Sequence, residues 1–185
     1  MEASVVEIPG YIVGRWTIDP VHSYLGYVVR HMLVGRLRGH FTKFEGEIVT
    51  AENPLDSTAS ISIDMSSIST YNDFRDGEVR GDEFFAVDEH PTMTFKSTRV
   101  REGGKGFIID GDLTLRGVTK PLSLDVELGG FGPDSMGGTR CGFSATGEID
   151  RKEFGVKYDV RVPGGGLAVS DKVQLALEVE GVLQT

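Results

Sequence analysis

The sequence contains a single cysteine, Cys141, among its 185 residues. One thiol cannot form an intramolecular disulfide or a thiolate metal cluster, so neither holds this fold together. Cys141 lies in an alternating run with Phe143, Ala145 and Ile149, which favours a small buried hydrophobic residue over a reactive thiol. Proline is also scarce, at 7 residues against 25 glycines. That balance is typical of many turns and kinked strands rather than of disorder.

The chain also lacks an excess of positive charge and any long apolar run. It has 19 Lys and Arg against 28 Asp and Glu, which gives a net charge of −9. This charge argues against a nucleic-acid partner, because such a partner selects a basic surface, and against an electrostatic anchor to anionic lipid. No stretch is long enough to span a bilayer. The first ten residues carry acids and no apolar segment of a secretory signal, so a cytoplasmic location is expected.

What the sequence does have is a regular two-residue alternation, clearest from Phe107 to Leu128. Apolar residues occupy one parity on both sides of a turn at residues 116–119, and charged or hydroxyl residues occupy the other. Successive strand side chains point to opposite faces, so this pattern predicts a β-hairpin with one apolar and one wet face. One hairpin cannot bury its own apolar face. The rest of the chain must therefore cover it.

Similar alternation recurs along the chain and predicts about eight strands in a single domain. Besides the hairpin, strands are expected at 16–18, 24–31, 38–50, 58–65, 92–100, 139–149 and 172–183. Residues 1–15 show little pattern and form a lead-in to one domain at 16–185. Phe41 and Phe44 differ in parity, which predicts a bulge, and 32–37 is expected to be an irregular or short helical turn. The pattern alone indicates an all-β antiparallel barrel or sandwich.

The stretch from Tyr71 to Asp88 interrupts the strand pattern. Asn72 or Asp73 is predicted to cap a short helix, and Asp76 and Arg80 have the spacing of a favourable helical ion pair. Three aromatic residues give this stretch more apolar surface than a solvated loop needs: Phe74, Phe84 and Phe85.

Three motifs in the sequence are similar to those of one family. They are Trp16-Thr-Ile-Asp-Pro-Val-His-Ser, the central run Asp82-Glu-Phe-Phe-Ala-Val-Asp-Glu-His-Pro, and Gly111-Asp-Leu-Thr-Leu-Arg-Gly-Val-Thr-Lys-Pro-Leu. In this order they resemble the YceI-like family, also called lipid- or polyisoprenoid-binding, over about residues 16–183. The resemblance implies a lipocalin-like antiparallel β-barrel of about eight strands with one or two short helices, often dimeric. It also implies an apolar interior that holds an isoprenoid chain or a similar long lipid.

Strand parity and this resemblance together indicate which side chains bind a ligand. An eight-stranded barrel is either filled by side chains or hollow enough for one ligand, so plain core packing stays open for each residue. Phe74, Phe84 and Phe85 are hypothesised to form a lid at the barrel mouth. The candidate ligand-binding residues are Leu25, Tyr27, Val29, His31, Ile61, Ile63, Phe74, Phe84, Phe85, Phe95, Phe107, Ile109, Leu113, Leu115, Leu122 and Leu124.

The four histidines do not indicate a metal site. His22, His31, His40 and His90 match neither the helical i,i+4 spacing nor a short strand pair of ligands. His31 shares the parity of Tyr27 and is expected to point inward. Because buried polar groups normally find a protein partner, a protein hydrogen bond is favoured for His31 over a ligand head group.

The sequence also gives little sign of catalysis. The acids of the central hairpin, Asp110, Asp112, Asp125 and Glu127, have the parity of the solvent face. No nucleophile elbow, phosphate loop or dinucleotide motif is present. We therefore predict no catalytic residue, no metal and no cofactor.

The sequence therefore predicts a non-enzymatic binding or carrier protein, expected to be a homodimer. It would hold a long apolar lipid, polyisoprenoid or quinone-like, inside the barrel. One alternative is an enzyme that acts on such a lipid, which convergent inward polar residues would favour. The other is a filled barrel that serves protein interaction, which a dry, cavity-free interior would favour.

Overall fold

The structure, a computed structural model, describes residues 6–185, and these are mostly β-strand. The strand segments are β1 Gly14–Ile18, β2 Tyr24–His31, β3 Gly35–Phe41, β4 Phe44–Thr50, β5 Thr58–Asp64, β6 Ile68–Ser69, β7 Thr92–Gly103, β8 Gly106–Leu115, β9 Val118–Pro133, β10 Thr139–Asp150, β11 Arg161–Val162, β12 Gly166–Leu167 and β13 Lys172–Leu183. The α-helix of this range, α1, is Asp73–Arg80, and 3-10 turns lie at Pro54–Asp56, Met65–Ser67 and Arg151–Phe154. Among the described residues, no helix has the length and apolarity needed to cross a bilayer.

Eleven of these segments form one antiparallel sheet that closes into a barrel. β1 and β2 both pair with β13, β1 pairs with β4 and β2 with β3, and β4 pairs with β5 and β3 with β6. Each of β1/β2, β3/β4 and β5/β6 is therefore one long strand that is interrupted along its length. Together with β7, β8, β9, β10 and β13 they give eight strands, so the predicted lipocalin-like barrel is confirmed.

The junctions around β3 correct two sequence-based predictions. Residues 38–50 do not form one bulged strand, because the chain breaks at Thr42 and Lys43 between β3 and β4. The break reverses the parity, so Phe41 and Phe44 are both buried. Residues 32–37 are not irregular or helical either. The backbone nitrogen of Val34 donates to the carbonyl of His31 at 3.2 Å, which closes a tight turn before β3 begins at Gly35.

The central hairpin forms as the alternation predicts. β8 and β9 pair in register from Phe107 opposite Val126 to Leu115 opposite Val118. The turn residues Arg116 and Gly117 have φ values of 53° and 73°, the left-handed conformation that a tight two-residue hairpin turn requires. Its apolar face is buried in the barrel, and the acidic residues lie on the outer face.

Helix α1 begins where the sequence predicts but is held by different contacts. Asn72 is the N-cap, because its side-chain oxygen accepts from the backbone nitrogen of Arg75 at 2.9 Å. The predicted Asp76–Arg80 ion pair is wrong. Asp76 is buried and accepts from the backbone nitrogen of Thr70 at 2.6 Å and from its hydroxyl. These bonds tie α1 to the end of β6.

The two ends of the barrel differ in how they are covered. At one end, which we call the closed end, residues 6–13 of the lead-in pack against the barrel, and Ile8 and Tyr11 line its interior. There the Tyr11 hydroxyl donates to the carbonyl of Ala51, and the indole N–H of fully buried Trp16 donates to Thr50 Oγ1, both at 2.8 Å. The other end, which we call the open end, carries the β2–β3 and β8–β9 turns. It also carries the two long connections at 70–91 and 151–171.

Candidate functional site

The barrel encloses a cavity of about 540 Å³ that is lined mainly by apolar side chains. Ligand pockets in proteins commonly measure about 300–1,000 Å³, with a few polar groups that orient the ligand. The inward parity of every barrel strand contributes to the wall, from Ile18 in β1 to Val179 in β13. The interior is therefore hollow enough for one elongated apolar molecule.

The structure places all the candidate ligand-binding residues on the wall of this cavity. Strand pairing explains their convergence, since Phe95 lies opposite both Ile61 and Leu113, and Ile109 lies opposite Leu124. Contact with a ligand stays a prediction for each of them. The residues so placed are Leu25, Tyr27, Val29, His31, Ile61, Ile63, Phe74, Phe84, Phe85, Phe95, Phe107, Ile109, Leu113, Leu115, Leu122 and Leu124.

Among the wall residues that the sequence-based set lacks, two groups are informative. The first lies on β10 and β13 and includes Phe143, Ala145, Leu175 and Leu177. Their alternation is visible in the sequence and supports the same inward assignment. The second group comes from the 151–171 connection and includes Tyr158. No periodicity marks that segment, so its approach to the cavity is set by tertiary contacts alone.

Tyr27 is a polar group set in this apolar wall. Burial raises the pKa of its hydroxyl above the ordinary value; the nearby Asp76 adds to the rise and Arg75 opposes it. Its ring lies across Gly39, the residue directly opposite on β3, where any Cβ would overlap the ring. Among residues 6–185 the hydroxyl makes no hydrogen bond. It therefore presents a neutral donor and acceptor to the cavity.

His31 lies on the same face of β2 as Tyr27, nearer the open end. The favoured interpretation, a protein hydrogen bond, is wrong for the described residues, since the imidazole makes none within 6–185. The backbone of His31 is fixed instead by a bridge to Val169. This leaves both ring nitrogens free to meet a polar group at the cavity.

The open end is covered by aromatic side chains from the 70–91 connection. The Phe85 ring lies 6.3 Å from that of Phe41 and 6.5 Å from that of Tyr27, so it packs over the cavity. Phe74 also lines the cavity but is 77% exposed. The exposed residues Arg38 and Glu78 line it as well. The cavity therefore reaches the surface between β3 and α1.

Two of the charged residues that line the cavity, Arg75 and Arg151, are occupied by structural contacts. Arg151, which is 4% exposed, donates to the backbone carbonyls of Val156, Val169 and Ser170. Arg75 donates to the hydroxyl and carbonyl of Thr70. Both guanidinium groups fix irregular segments of the open end. Neither is free to act on a ligand.

The carboxylates weighed as an acid/base pair lie outside the cavity wall. Asp110 accepts from Arg101 and from the Ser123 hydroxyl, and these hydrogen bonds lower its pKa to about 2. A carboxylate that is paired and ionised in this way is a poor general acid. The outer face of the hairpin therefore has a solvated, structural role.

A cluster of metal-ligating groups lies near the β1–β2 break, away from the cavity. Asp19, His22 and Glu180 come within reach of a single ion. The guanidinium of Arg140 already occupies this position, with Nη1 2.7 Å from Asp19 Oδ2 and 3.2 Å from Glu180 Oε2. The Arg140 hydrogen bond, and then the His22 one, hold the pKa of Asp19 well below its usual range. The cluster is therefore an ion-pair network that joins the β1–β2 break to β10 and β13.

A closed antiparallel barrel around a large apolar cavity defines the fold as lipocalin-like. The family model described as the YceI-like domain matches residues 16–181, and the chain belongs to this family. The resemblance drawn from the three sequence motifs is thus confirmed.

Relatives and solved structures agree with this assignment. A UPF0312 protein of Pectobacterium carotovorum is 37% identical over 164 residues, covering 88% of this chain and 82% of that protein. The crystal structure of Burkholderia cenocepacia BcnA superposes with a TM-score of 0.75 at 22% identity, covering 88% of this chain and 98% of that one. A polyisoprenoid binding domain from Saccharophagus degradans, implicated in plant cell wall breakdown, gives 0.64 at 16% identity, covering 94% and 100%. At these identities the two structures support the fold alone.

Proposed function

We propose that the protein binds and carries a long apolar lipid, polyisoprenoid or quinone-like, within its barrel. The observation that carries the proposal is the cavity of about 540 Å³ with an apolar wall. The name of the Saccharophagus degradans domain, polyisoprenoid binding, supports the same class of ligand. An apolar chain is the ligand whose surface matches this wall.

Burial of such a chain supplies adequate binding free energy. At about 0.8 kcal/mol per buried CH₂, one five-carbon unit contributes up to roughly 4 kcal/mol before ordering costs. A few units reach micromolar affinity, about −8 kcal/mol, after those costs are subtracted. Recognition of a charged group is not required. The binding energy comes from the length of chain buried.

We place the polar head of the ligand at β2. Tyr27 and His31 lie four residues apart on one face, which is about 13 Å along a strand. Both side chains line the cavity, and neither has a hydrogen-bond partner among residues 6–185. A quinone or alcohol oxygen that accepts from either group would satisfy it. The isoprenoid chain would then extend toward the closed end.

The geometry favours binding over the two alternatives. A filled barrel would leave no room for a ligand, whereas this interior is hollow. An enzyme needs converging polar groups at a reacting atom. Arg75 and Arg151 are engaged in structural hydrogen bonds, and Arg38 and Glu78 are exposed at the opening. Carriage is therefore proposed without catalysis.

Native mass spectrometry of gently purified protein, followed by solvent extraction and lipid identification, tests the proposal. The expected result is a stoichiometric apolar adduct of defined mass. A mass equal to that of the protein alone, with no uptake of added geranylgeraniol, would contradict carriage. The same spectrum reports the proposed homodimer, which a purely monomeric envelope would overturn.

A further inference from the structure

The tip of the β2–β3 hairpin has a composition that its backbone does not explain. Met32 and Leu33 have φ values of 50° and 63°. The loop has three residues between the paired His31 and Gly35, and positive φ values at two successive turn positions strongly favour Asn-Gly, Asp-Gly or Gly-Gly there. Bulky apolar residues are strained in this conformation. The turn conformation therefore does not select Met and Leu at these positions, although the Leu33 side chain also lies over Gly166.

The same tip exposes three apolar residues in a row. Met32, Leu33 and Val34 are 43%, 56% and 91% exposed. Phe74 and Val160, also exposed, lie at the same end of the barrel. With Tyr71 of the 70–91 connection, six of the nine large apolar residues that are exposed in the described range belong to elements of the open end. Apolar exposure concentrated at one end in this way is typical of an interaction site.

Three arginines flank the tip without partners of their own. Arg30 and Arg36 lie directly opposite each other in the β2–β3 ladder, and Arg38 follows on β3. All three are exposed, and none makes a salt bridge among residues 6–185, whereas Arg15 and Arg101 do. Like charges directly opposite on a hairpin are unfavourable. An external anion would relieve this arrangement.

The hairpin also borders the opening of the cavity. Arg38 is both exposed and part of the cavity wall, as is Phe74 on the other side of the opening. A partner that binds the β2–β3 tip would therefore lie next to the opening through which a lipid would enter the cavity. The β2–β3 tip and the opening of the cavity therefore lie on the same hairpin.

We propose that the β2–β3 tip docks on a bilayer that contains anionic lipid and presents the cavity opening to it. This inference rests on the proposed function, because docking would let a lipid pass between the bilayer and the cavity. Met32, Leu33 and Val34 enter the interface, and the arginines contact lipid phosphates. Arg30 and Arg36 lie two residues from the turn, about 7 Å along the strands. That distance matches the roughly 5–10 Å to which interfacial apolar groups insert.

The charges support a membrane rather than a protein groove as the occupant. A protein groove would accommodate the apolar tip but gives no account of three unpaired arginines. Each basic residue near an anionic surface strengthens attachment. The net charge of −9 opposes it weakly, because charges farther than about 8 Å from the surface are screened at physiological ionic strength.

Vesicle co-sedimentation of the full-length protein tests this inference. We expect binding to phosphatidylcholine vesicles that contain about 30% phosphatidylglycerol and much weaker binding to pure phosphatidylcholine. The double variant Met32→Asn/Leu33→Gly should bind at least about tenfold more weakly, yet melt at the same or a higher temperature, because Asn-Gly suits the turn. Arg30→Gln/Arg36→Gln should abolish the preference for phosphatidylglycerol. Met136→Asn is the matched control, since Met136 is 90% exposed but lies at the closed end.

The outcomes separate docking from carriage. Failure of the unmodified protein to bind vesicles overturns the inference and points to a protein partner, as does equal binding by the Asn-Gly variant. Indifference to phosphatidylglycerol also overturns it. Uptake of geranylgeraniol without vesicles, measured by native mass spectrometry, reports carriage independently. If the Asn-Gly variant still takes up geranylgeraniol but no longer binds vesicles, docking by the tip is supported. If the unmodified protein binds vesicles but takes up no geranylgeraniol, carriage is contradicted and docking stays supported.

Discussion

The rings of Phe84 and Tyr158 stack with their centroids 4.6 Å apart and their planes inclined by 27°. Phe84 belongs to the 70–91 connection and Tyr158 to the 151–171 connection, the two segments that cover the open end. Arg116, from the β8–β9 turn, donates to the backbone carbonyls of Asp82 and Phe84. The stacked pair therefore joins three elements above the cavity.

Replacement of Tyr158 by Ala should speed the release of a bound lipid. An aromatic pair is worth about 0.5–1.5 kcal/mol beyond its buried area, so release should quicken by roughly two- to tenfold. Stopped-flow transfer of a fluorescent isoprenoid from the protein to excess acceptor vesicles measures this rate. Tyr158→Phe keeps the ring and should release lipid at the unmodified rate. Equal rates for the Ala and Phe variants would show that the pair does not restrain the ligand.

A larger side chain at Ala145 should remove lipid binding at little cost in stability. Ala145 is buried and lines the cavity, whereas Thr146, the next residue of β10, is exposed on the outer face. In a filled barrel Ala145→Phe would be overpacked by about 1–3 kcal/mol; in a hollow one the ring occupies free volume. Urea unfolding and lipid uptake should therefore show a stable, non-binding Ala145→Phe and an unaffected Thr146→Phe. Strong destabilisation by Ala145→Phe alone would indicate a filled interior.

The raised pKa of Tyr27 makes the protein sensitive to alkali. The folded state holds this proton more tightly than the unfolded state, so the stability contribution is complete below about pH 10 and is lost as pH rises further. Above pH 10, each pH unit should cost the unmodified protein about 1.4 kcal/mol more than Tyr27→Phe. Urea unfolding followed by Trp16 fluorescence at pH 8, 10 and 11 compares the two. Parallel losses would mean that Tyr27 ionises normally.

Acid should act through Asp19. Hydrogen bonds from Arg140 and His22 lower its pKa, so the folded state favours the ionised form. Its contribution is present above the unfolded pKa of about 3.9 and is lost as pH falls below it. At pH 7, Asp19→Asn should be about 1–3 kcal/mol less stable, and the difference should shrink between pH 4 and pH 2. A constant difference over that range would assign the loss to packing rather than charge.

The sequence predicts most of the barrel because strand parity is a local property. The alternation from Phe107 to Leu128 determines which side chains face inward, and the hairpin follows from it. The closure of β13 on both β1 and β2 is not visible in this way, because it joins residues more than 140 positions apart. The opposite parities of Phe41 and Phe44 did mark an irregularity. They could not distinguish a bulge from a full break.

The residues of the candidate site also differ in whether local alternation predicts them. Wall residues on strands, such as Ile61 and Leu113, follow from alternation. Tyr158 does not, because it lies in a segment without periodicity, and its position depends on its contact with Phe84. The sequence also could not predict whether the His31 imidazole has a hydrogen-bond partner, because such a partner comes from residues distant in sequence.

The interruptions of β1/β2, β3/β4 and β5/β6 lie side by side around the barrel. At this level Thr42 bonds to Ser67 and Asp19 to Glu180, in place of a regular ladder. One side of the barrel wall thus consists of three interrupted strands, and the other side consists of five continuous strands. We expect such a seam to let the wall near the open end shift while the strands near the closed end stay paired. Lipid tails of several lengths would then fit in one barrel.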